Sequence, residues 1–262
     1  MLLDGKNAII YGAGGGIGGG VARTFAREGA HIFLVGRTRE KLERLAAEIA
    51  ADGGRAEVAV LDALNERAVE EHMSAVAASA GSVDVSFNLV SRGDVQGTRL
   101  LEVDVDDFLC PIVTGARTNF ITARAAARRM VEQGSGVILL LNSGSGGPQV
   151  ATPPEAWPMG GTGPADAALD SFIRYLAAEV GPRGVRVAGL WTAAVSGMWQ
   201  PESEAEPDPL EAVKDRLVGE QAMLRRRPSL QQVADTAAWL ASDRASGITA
   251  AIVNVSSGIT SH

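Results

Sequence analysis

The chain has 262 residues, a mass of 27.2 kDa, 46% hydrophobic and 21% charged residues, a composition that excludes a disordered chain. Its 31 glycines carry no triplet period, which excludes collagen, and the net charge of −7 argues against a nucleic-acid binder. No apolar run reaches the roughly 18 residues of a membrane span, and the opening MLLDGKNAIIYG does not read as a secretory signal.

Short apolar runs alternate with amphipathic stretches. Asn7–Tyr11 (NAIIY) reads as a buried strand, followed by a glycine cluster and a helix near Gly18–Glu28. His31–Val35 is a second strand, and Thr38–Ala51 a helix with Leu42, Leu45 and Ile49 at helical spacing. Ala56–Leu61, Val83–Asn88, Val137–Asn142, Val185–Leu190 and Ala251–Val255 read as further strands. Glu66–Ala80, Val113–Gln133, Pro164–Val180 and Val233–Ala241 read as helices. Strands apolar on both faces, alternating with helices, imply right-handed crossovers in a parallel sheet. The expected fold is a single doubly wound α/β domain over residues 1–262, with about seven parallel strands and helices on both faces. One stretch departs from the pattern. Trp191–Pro209 is rich in Pro and Glu and precedes a short helix near Leu210–Met223, so a lid over the site is expected at about 191–223.

The first strand runs into Gly12-Ala13-Gly14-Gly15-Gly16-Ile17-Gly18. Glycines at such a strand-to-helix turn let the backbone approach a pyrophosphate, and the helix that follows presents its positive end to it. The second strand ends at Gly36-Arg37, with no carboxylate for the ribose 2′-hydroxyl of NAD and a guanidinium suited to a 2′-phosphate. NADP(H) is therefore favoured over NAD(H). Asp62, with Ala63 beside it, ends the third strand where it can accept from an adenine amino group. The alternative is a helix N-cap.

Together these residues resemble the short-chain dehydrogenase/reductase family. The glycine run is similar to its Thr-Gly-x-x-x-Gly-x-Gly motif with Tyr11 in place of the threonine, and Asp62 matches its adenine-binding aspartate. Gly134–Ser143 resembles the strand that delivers the catalytic serine, which would be Ser143. Ala167–Val187, Pro228–Ser242 and Ile248–Gly258 resemble its later helices and strands, so the resemblance spans nearly the whole chain and implies a Rossmann-type domain. It also implies a homodimer or homotetramer built on the helices near Val113–Gln133 and Pro164–Val180.

The catalytic motifs depart from the family. Its Asn-Asn-Ala-Gly motif falls on Asn88-Leu89-Val90-Ser91, its active-site asparagine on Gly115, and its Tyr-x-x-x-Lys pair on Thr162 and Asp166. In the family the tyrosine moves the proton and the lysine lowers its pKa and holds the nicotinamide ribose. Threonine is too weak an acid for that, and aspartate reverses the charge. Replacements are scarce: the tyrosines are Tyr11 and Tyr175, the lysines Lys6, Lys41 and Lys214, the histidines His31, His72 and His262. Gly163 can cap the later helix, with Pro164 at its first position and Asp166 in its first turn. The sharper alternative makes Asp166, with Thr162 or Ser143, a base or the partner of a cationic substrate, with Trp157 and Met159 lining its pocket. Cys110, the only cysteine, is expected to be a buried inert thiol and fits a reducing, cytoplasmic setting. No metal site is expected. The resemblance implies an oxidoreductase acting on a carbonyl or alcohol, in which Ser143 polarises the carbonyl. The alternative is a non-catalytic NADP(H)-binding sensor or partner subunit.

Overall fold

The computed structural model describes residues 1–143, 158–197 and 222–259. Among them the strands are β1 (Asn7–Tyr11), β2 (His31–Gly36), β3 (Arg55–Val60), β4 (Val85–Asn88), β5 (Gly136–Asn142), β6 (Val185–Trp191) and β7 (Ile252–Asn254). The helices are α1 (Gly16–Arg27), α2 (Arg39–Ala51), α3 (Glu66–Ala80), α4 (Val105–Gln133), α5 (Thr162–Val180) and α6 (Leu230–Ala241). The strands pair in parallel in the order β3-β2-β1-β4-β5-β6-β7.

The period of two along each strand sends alternate side chains to opposite faces. Ala8, Ile10, Ile32, Leu34, Val85, Phe87, Leu139 and Leu190 pack under α1, α2 and α6. Ile9, Tyr11, Phe33, Val35, Ile138, Leu140 and Val187 pack under α3, α4 and α5. Both faces are thus covered, which is why the strands read as continuous apolar runs.

Three boundaries differ from the sequence reading for physical reasons. α4 begins at Val105, eight residues before Val113, and carries Pro111 inside it. Pro111 is the seventh residue and gives up the amide that would bond to the Asp107 carbonyl, while Asp106 and Asp107 favour the positive end of the helix. α5 begins at Thr162 with Gly161 as its cap, so Gly163 is not the cap and Asp166 lies beyond the first turn. β6 runs on through Trp191, whose indole N–H donates to Asp170 at 3.1 Å. The insertion therefore starts after that residue. The body of the expected lid, with the helix read at Leu210–Met223, falls largely outside the described residues.

No helix among the described residues is long and apolar enough to cross a membrane.

Candidate functional site

β1 lies at the point where the strand order reverses, between β2 and β4. Doubly wound sheets bind ligands outside the carboxyl ends of the strands at such a point. A cavity of about 270 Å³ lies there, and Gly12, Gly14, Gly15, Arg37, Asp62 and Ala63 line it. Two glycines shape the turn that carries this wall. Gly12 has φ +77°, and a Cβ on it would sit 2.4 Å from the Leu89 carbonyl oxygen. A Cβ on Gly18 would sit 2.2 Å from the Gly12 carbonyl oxygen. Gly12 and Ala13 both donate their amides to the Val35 carbonyl, at 2.9 and 3.1 Å, so the turn folds back onto β2. α1 then starts at Gly16, and its cap Gly15 has no side chain to satisfy the first-turn amides. Those amides are left for an anion. This close-packed cradle fits a dinucleotide pyrophosphate.

The other expected nucleotide residues divide. Gly16, Ile17 and Gly18 form the first turn of α1 and are not on the cavity wall. Asn88 is buried and also off the wall: its amide donates to Asn119 at 2.6 Å and its oxygen accepts from the Val90 amide at 3.1 Å. Asp62 is not the helix cap. Asn65 caps α3, while Asp62 accepts from the Leu64 amide at 3.0 Å in the turn before it. Arg37 is exposed on the wall, and Lys41, four residues on, lies there too. Among the described residues neither cation has a carboxylate partner. The signal that Lys41 belongs to the nucleotide end was its spacing of four from Arg37 across the start of α2.

The residues expected at the reacting end form a buried polar network. Asp166 is 0% exposed. One of its carboxylate oxygens accepts from the Arg92 guanidinium at 2.7 Å, and the other accepts from the Ser143 hydroxyl at 2.5 Å and the Ser143 amide at 3.2 Å. Arg92 also grips Asp94 through Nη2 at 2.9 Å and Nε at 3.4 Å. Asp94 in turn accepts from the Thr162 hydroxyl at 2.9 Å. Burial works against the guanidinium's charge, but the Asp166 and Asp94 carboxylates outweigh it and raise its pKa above the usual value. Gly115 completes the set: a Cβ there would lie 2.7 Å from Arg92 Cδ. Asp166 is therefore engaged from inside and does not await a cationic substrate. One turn further along α5, Asp170 accepts from Asn142 and Trp191, and burial raises its carboxyl above the usual range against those bonds. Sequence reading missed Arg92, Asp94 and Asp170. The inverted charge at position 166 was the available signal, since a buried carboxylate demands a cation.

The groups considered as replacement acids lie elsewhere. Tyr11 is fully buried, and its hydroxyl has no hydrogen-bond partner among the described residues. Burial, and secondarily the Glu70 carboxylate, push its pKa up. Such an orphan hydroxyl costs about 1–3 kcal/mol. Tyr11→Phe is expected to raise the melting temperature by about 2–4 °C per kcal/mol recovered, read by calorimetry. His31 begins β2, at the opposite end of the sheet, and pairs with Glu57 at 3.2 Å. His72 is mostly buried, and burial lowers its pKa. Lys6 pairs with Asp243. Tyr175 is exposed on α5. Trp157, Lys214 and His262 lie outside the described residues, and Met159 is half-buried just before α5. Cys110 is exposed rather than buried, because the first turns of α4 stand outside both core clusters; its Sγ lies 3.6 Å from the Arg92 carbonyl. Among the described residues no cluster of three or more His, Cys, Asp or Glu side chains can hold a metal ion.

Comparison with known proteins agrees with this architecture. A family model described as enoyl-(acyl carrier protein) reductase matches residues 12–260. The chain is 33% identical to galactitol 2-dehydrogenase (L-tagatose-forming) of Cereibacter sphaeroides, over 98% of this chain and 96% of that one. It superposes on a short-chain type dehydrogenase/reductase from Mycobacterium marinum with a TM-score of 0.85 at 27% identity, covering 99% of this chain and 97% of that one. A 7α-hydroxysteroid dehydrogenase complexed with NADH and 7-oxo glycochenodeoxycholic acid gives a TM-score of 0.79 at 25% identity, covering 98% and 94%. With its seven-stranded parallel sheet and its glycine cradle at the switch point, the chain belongs to the short-chain dehydrogenase/reductase family, whose members bind nicotinamide dinucleotides.

Proposed function

We propose that the protein is an NADP(H)-dependent oxidoreductase acting on a carbonyl or alcohol substrate through a rebuilt catalytic set. The observation that carries the cofactor preference is the pair Arg37 and Lys41 on the cavity wall, where a carboxylate would select NAD(H). Gly12, Gly14 and Gly15 would meet the pyrophosphate, with Gly16, Ile17 and Gly18 supplying the helix end behind it. Asp62 and Ala63 would meet the adenine, and Asn88 fixes the end of β4. A bound dinucleotide supplies hydride chemistry; the chain supplies position and electrostatics.

At the reacting end, Ser143 spends its one hydroxyl proton on Asp166. We assign it a positioning role there, so a carbonyl needs another donor. The buried Thr162 and Asp166 favour a second reading, a sensor or partner subunit that binds NADP(H) without turning it over.

Titration with NADPH and NADH, followed by nicotinamide fluorescence, tests the first part. NADPH is expected to bind more tightly. Arg37→Ala combined with Lys41→Ala is expected to weaken NADPH by about 10- to 100-fold, at roughly 1.4 kcal/mol per lost charge-assisted contact, and to leave NADH nearly unchanged. Equal loss for both nucleotides defeats the 2′-phosphate assignment. Oxidation of bound NADPH by members of a carbonyl panel separates enzyme from sensor.

Association is also proposed. Val105, Leu109 and Val113 on α4, with Phe120 and with Tyr175 on α5, leave apolar surface exposed. Phe120 and Phe172 stack edge to face at 6.2 Å across the two helices. A homodimer or homotetramer through these helices, in a cytoplasmic setting, is expected from gel filtration and light scattering.

A further inference from the structure

The three positions at which this chain departs from the family tetrad all meet one pair of residues in the loop after β4. Gly115 makes room for the Arg92 stem, Asp166 pairs with its guanidinium, and Thr162 bonds to Asp94, which holds the other side of that guanidinium. Random loss would not shape three positions on two helices, α4 and α5, around one arginine and its partner carboxylate. The loop is fastened at more points: the Gly97 amide donates to the Pro158 carbonyl at 2.8 Å, and Gln96 reaches Thr162 at 3.4 Å. Gly160, with φ +53°, has no room for a Cβ, which would lie 2.6 Å from the Val95 carbonyl oxygen.

The guanidinium is held but not saturated. An arginine carries five N–H groups. Three of them bond to Asp94 and Asp166, and no acceptor for the other two exists among the described residues. The side chain is only 10% exposed, so these donors are largely removed from bulk water. Arg92 follows Ser91, and its stem touches Gly115, which follows Thr114; both Ser91 and Thr114 line the nucleotide cavity. The Arg92 backbone and stem thus neighbour that cavity through Ser91 and Gly115, with the guanidinium set behind its wall. One positive charge faces two carboxylates there, so a second anion is repelled and a neutral acceptor is not.

We propose that Arg92 is the hydrogen-bond donor to the substrate oxygen, that this oxygen belongs to a neutral carbonyl, and that Asp166, Asp94 and Gly115 position the guanidinium. This rests on the nucleotide reading above. In the reduction the carbonyl carbon gains a hydride from the reduced nicotinamide, which is oxidised, and the carbonyl π pair moves onto the oxygen as an alkoxide. Arg92 stays protonated and stabilises that charge, and water supplies the proton that completes the alcohol.

The test compares wild type with Arg92→Lys and with the double variant Arg92→Gln, Asp166→Asn, which leaves no buried carboxylate stranded. Melting temperature and NADPH affinity establish that each variant folds and loads. Wild type is expected to reduce neutral aldehydes or ketones and not 2-oxo acids. In the double variant kcat is expected to fall by about 100- to 1000-fold, the usual loss for one oxyanion donor, with NADPH affinity unchanged. In isotope-labelled wild type a small non-reducible carboxamide is expected to shift guanidinium N–H resonances that Arg92→Lys lacks. Unchanged kcat in a folded, NADPH-loaded variant overturns the proposal. So does NADPH binding by wild type with neither turnover of any neutral carbonyl nor a carboxamide shift, and in that case the nucleotide reading survives. If wild type binds no NADPH, that reading fails first and takes Arg92's role with it.

Discussion

Replacing Asp166 by Lys, with Thr162→Tyr to restore the family's Tyr-x-x-x-Lys pair, is expected to unfold the protein rather than activate it. At position 166 a lysine ammonium would sit fully buried against the Arg92 guanidinium, which now lies 2.7 Å from the carboxylate. Breaking a buried pair from one side costs about 3–5 kcal/mol. Two like charges about 4 Å apart add roughly 4 kcal/mol at an effective dielectric constant near 20. The sum is a large share of the about 5–15 kcal/mol that holds a domain together. At about 2–4 °C per kcal/mol the melting temperature falls by on the order of 15 °C or more. Thr162 is itself fully buried and bonded to Asp94, so a tyrosine ring there must also displace the loop after β4. Adding Arg92→Leu to the pair should recover much of the loss, because it removes the opposing cation. Thermal melts of the variants decide the matter: a well-folded Thr162→Tyr, Asp166→Lys protein with raised activity would show that the pair around Arg92 has no structural weight.

Gly18→Ala is the second large effect, on the nucleotide cradle. The new methyl would lie 2.2 Å from the Gly12 carbonyl oxygen and 2.9 Å from Ala13 Cα, both backbone atoms that no rotamer change can move aside. The turn must open and carry the first amides of α1 with it. Overpacking of this kind costs about 1–3 kcal/mol. NADPH affinity is expected to drop by at least about tenfold, since displacing phosphate-facing amides forfeits 1.4 kcal/mol or more. Gly14→Ala is the contrast. Its Cβ would meet nothing closer than Lys41 Cβ at 3.4 Å, so the melting temperature should hold while the added methyl on the cavity wall weakens the nucleotide. If Gly18→Ala binds NADPH as wild type does, the glycine run is a tight turn and nothing more.

The fold was legible because burial on both sheet faces writes itself directly into the strands: Asn7–Tyr11 and Gly136–Asn142 are nearly continuous apolar runs. The start of α4 was not, because Pro111 reads as a breaker in any local pattern, yet the helix runs through it. The cradle was legible because Gly12 and Gly18 are spaced by the turn they make. The reacting end was only half legible. The residues at 115, 162 and 166 could be set against the family pattern, but the pair they meet, Arg92 and Asp94, lies far off in sequence, with Arg92 74 residues from Asp166. Nothing in local spacing joins those two residues; only the crossover through α4 and β5 brings them together.

The mutual dependence of Arg92 and Asp166 also bears on descent. With a lysine at 166, an arginine at 92 would have been repelled; with Asp166 in place, removing Arg92 strands a buried carboxylate. Each single step back toward a lysine-bearing ancestor crosses a variant less stable by about 3–5 kcal/mol. Selection against poorly folded intermediates makes that path nearly one-way. Descendants of this chain are expected to vary Arg92, Gly115 and Asp166 together or not at all, even where the rest of the sequence drifts freely.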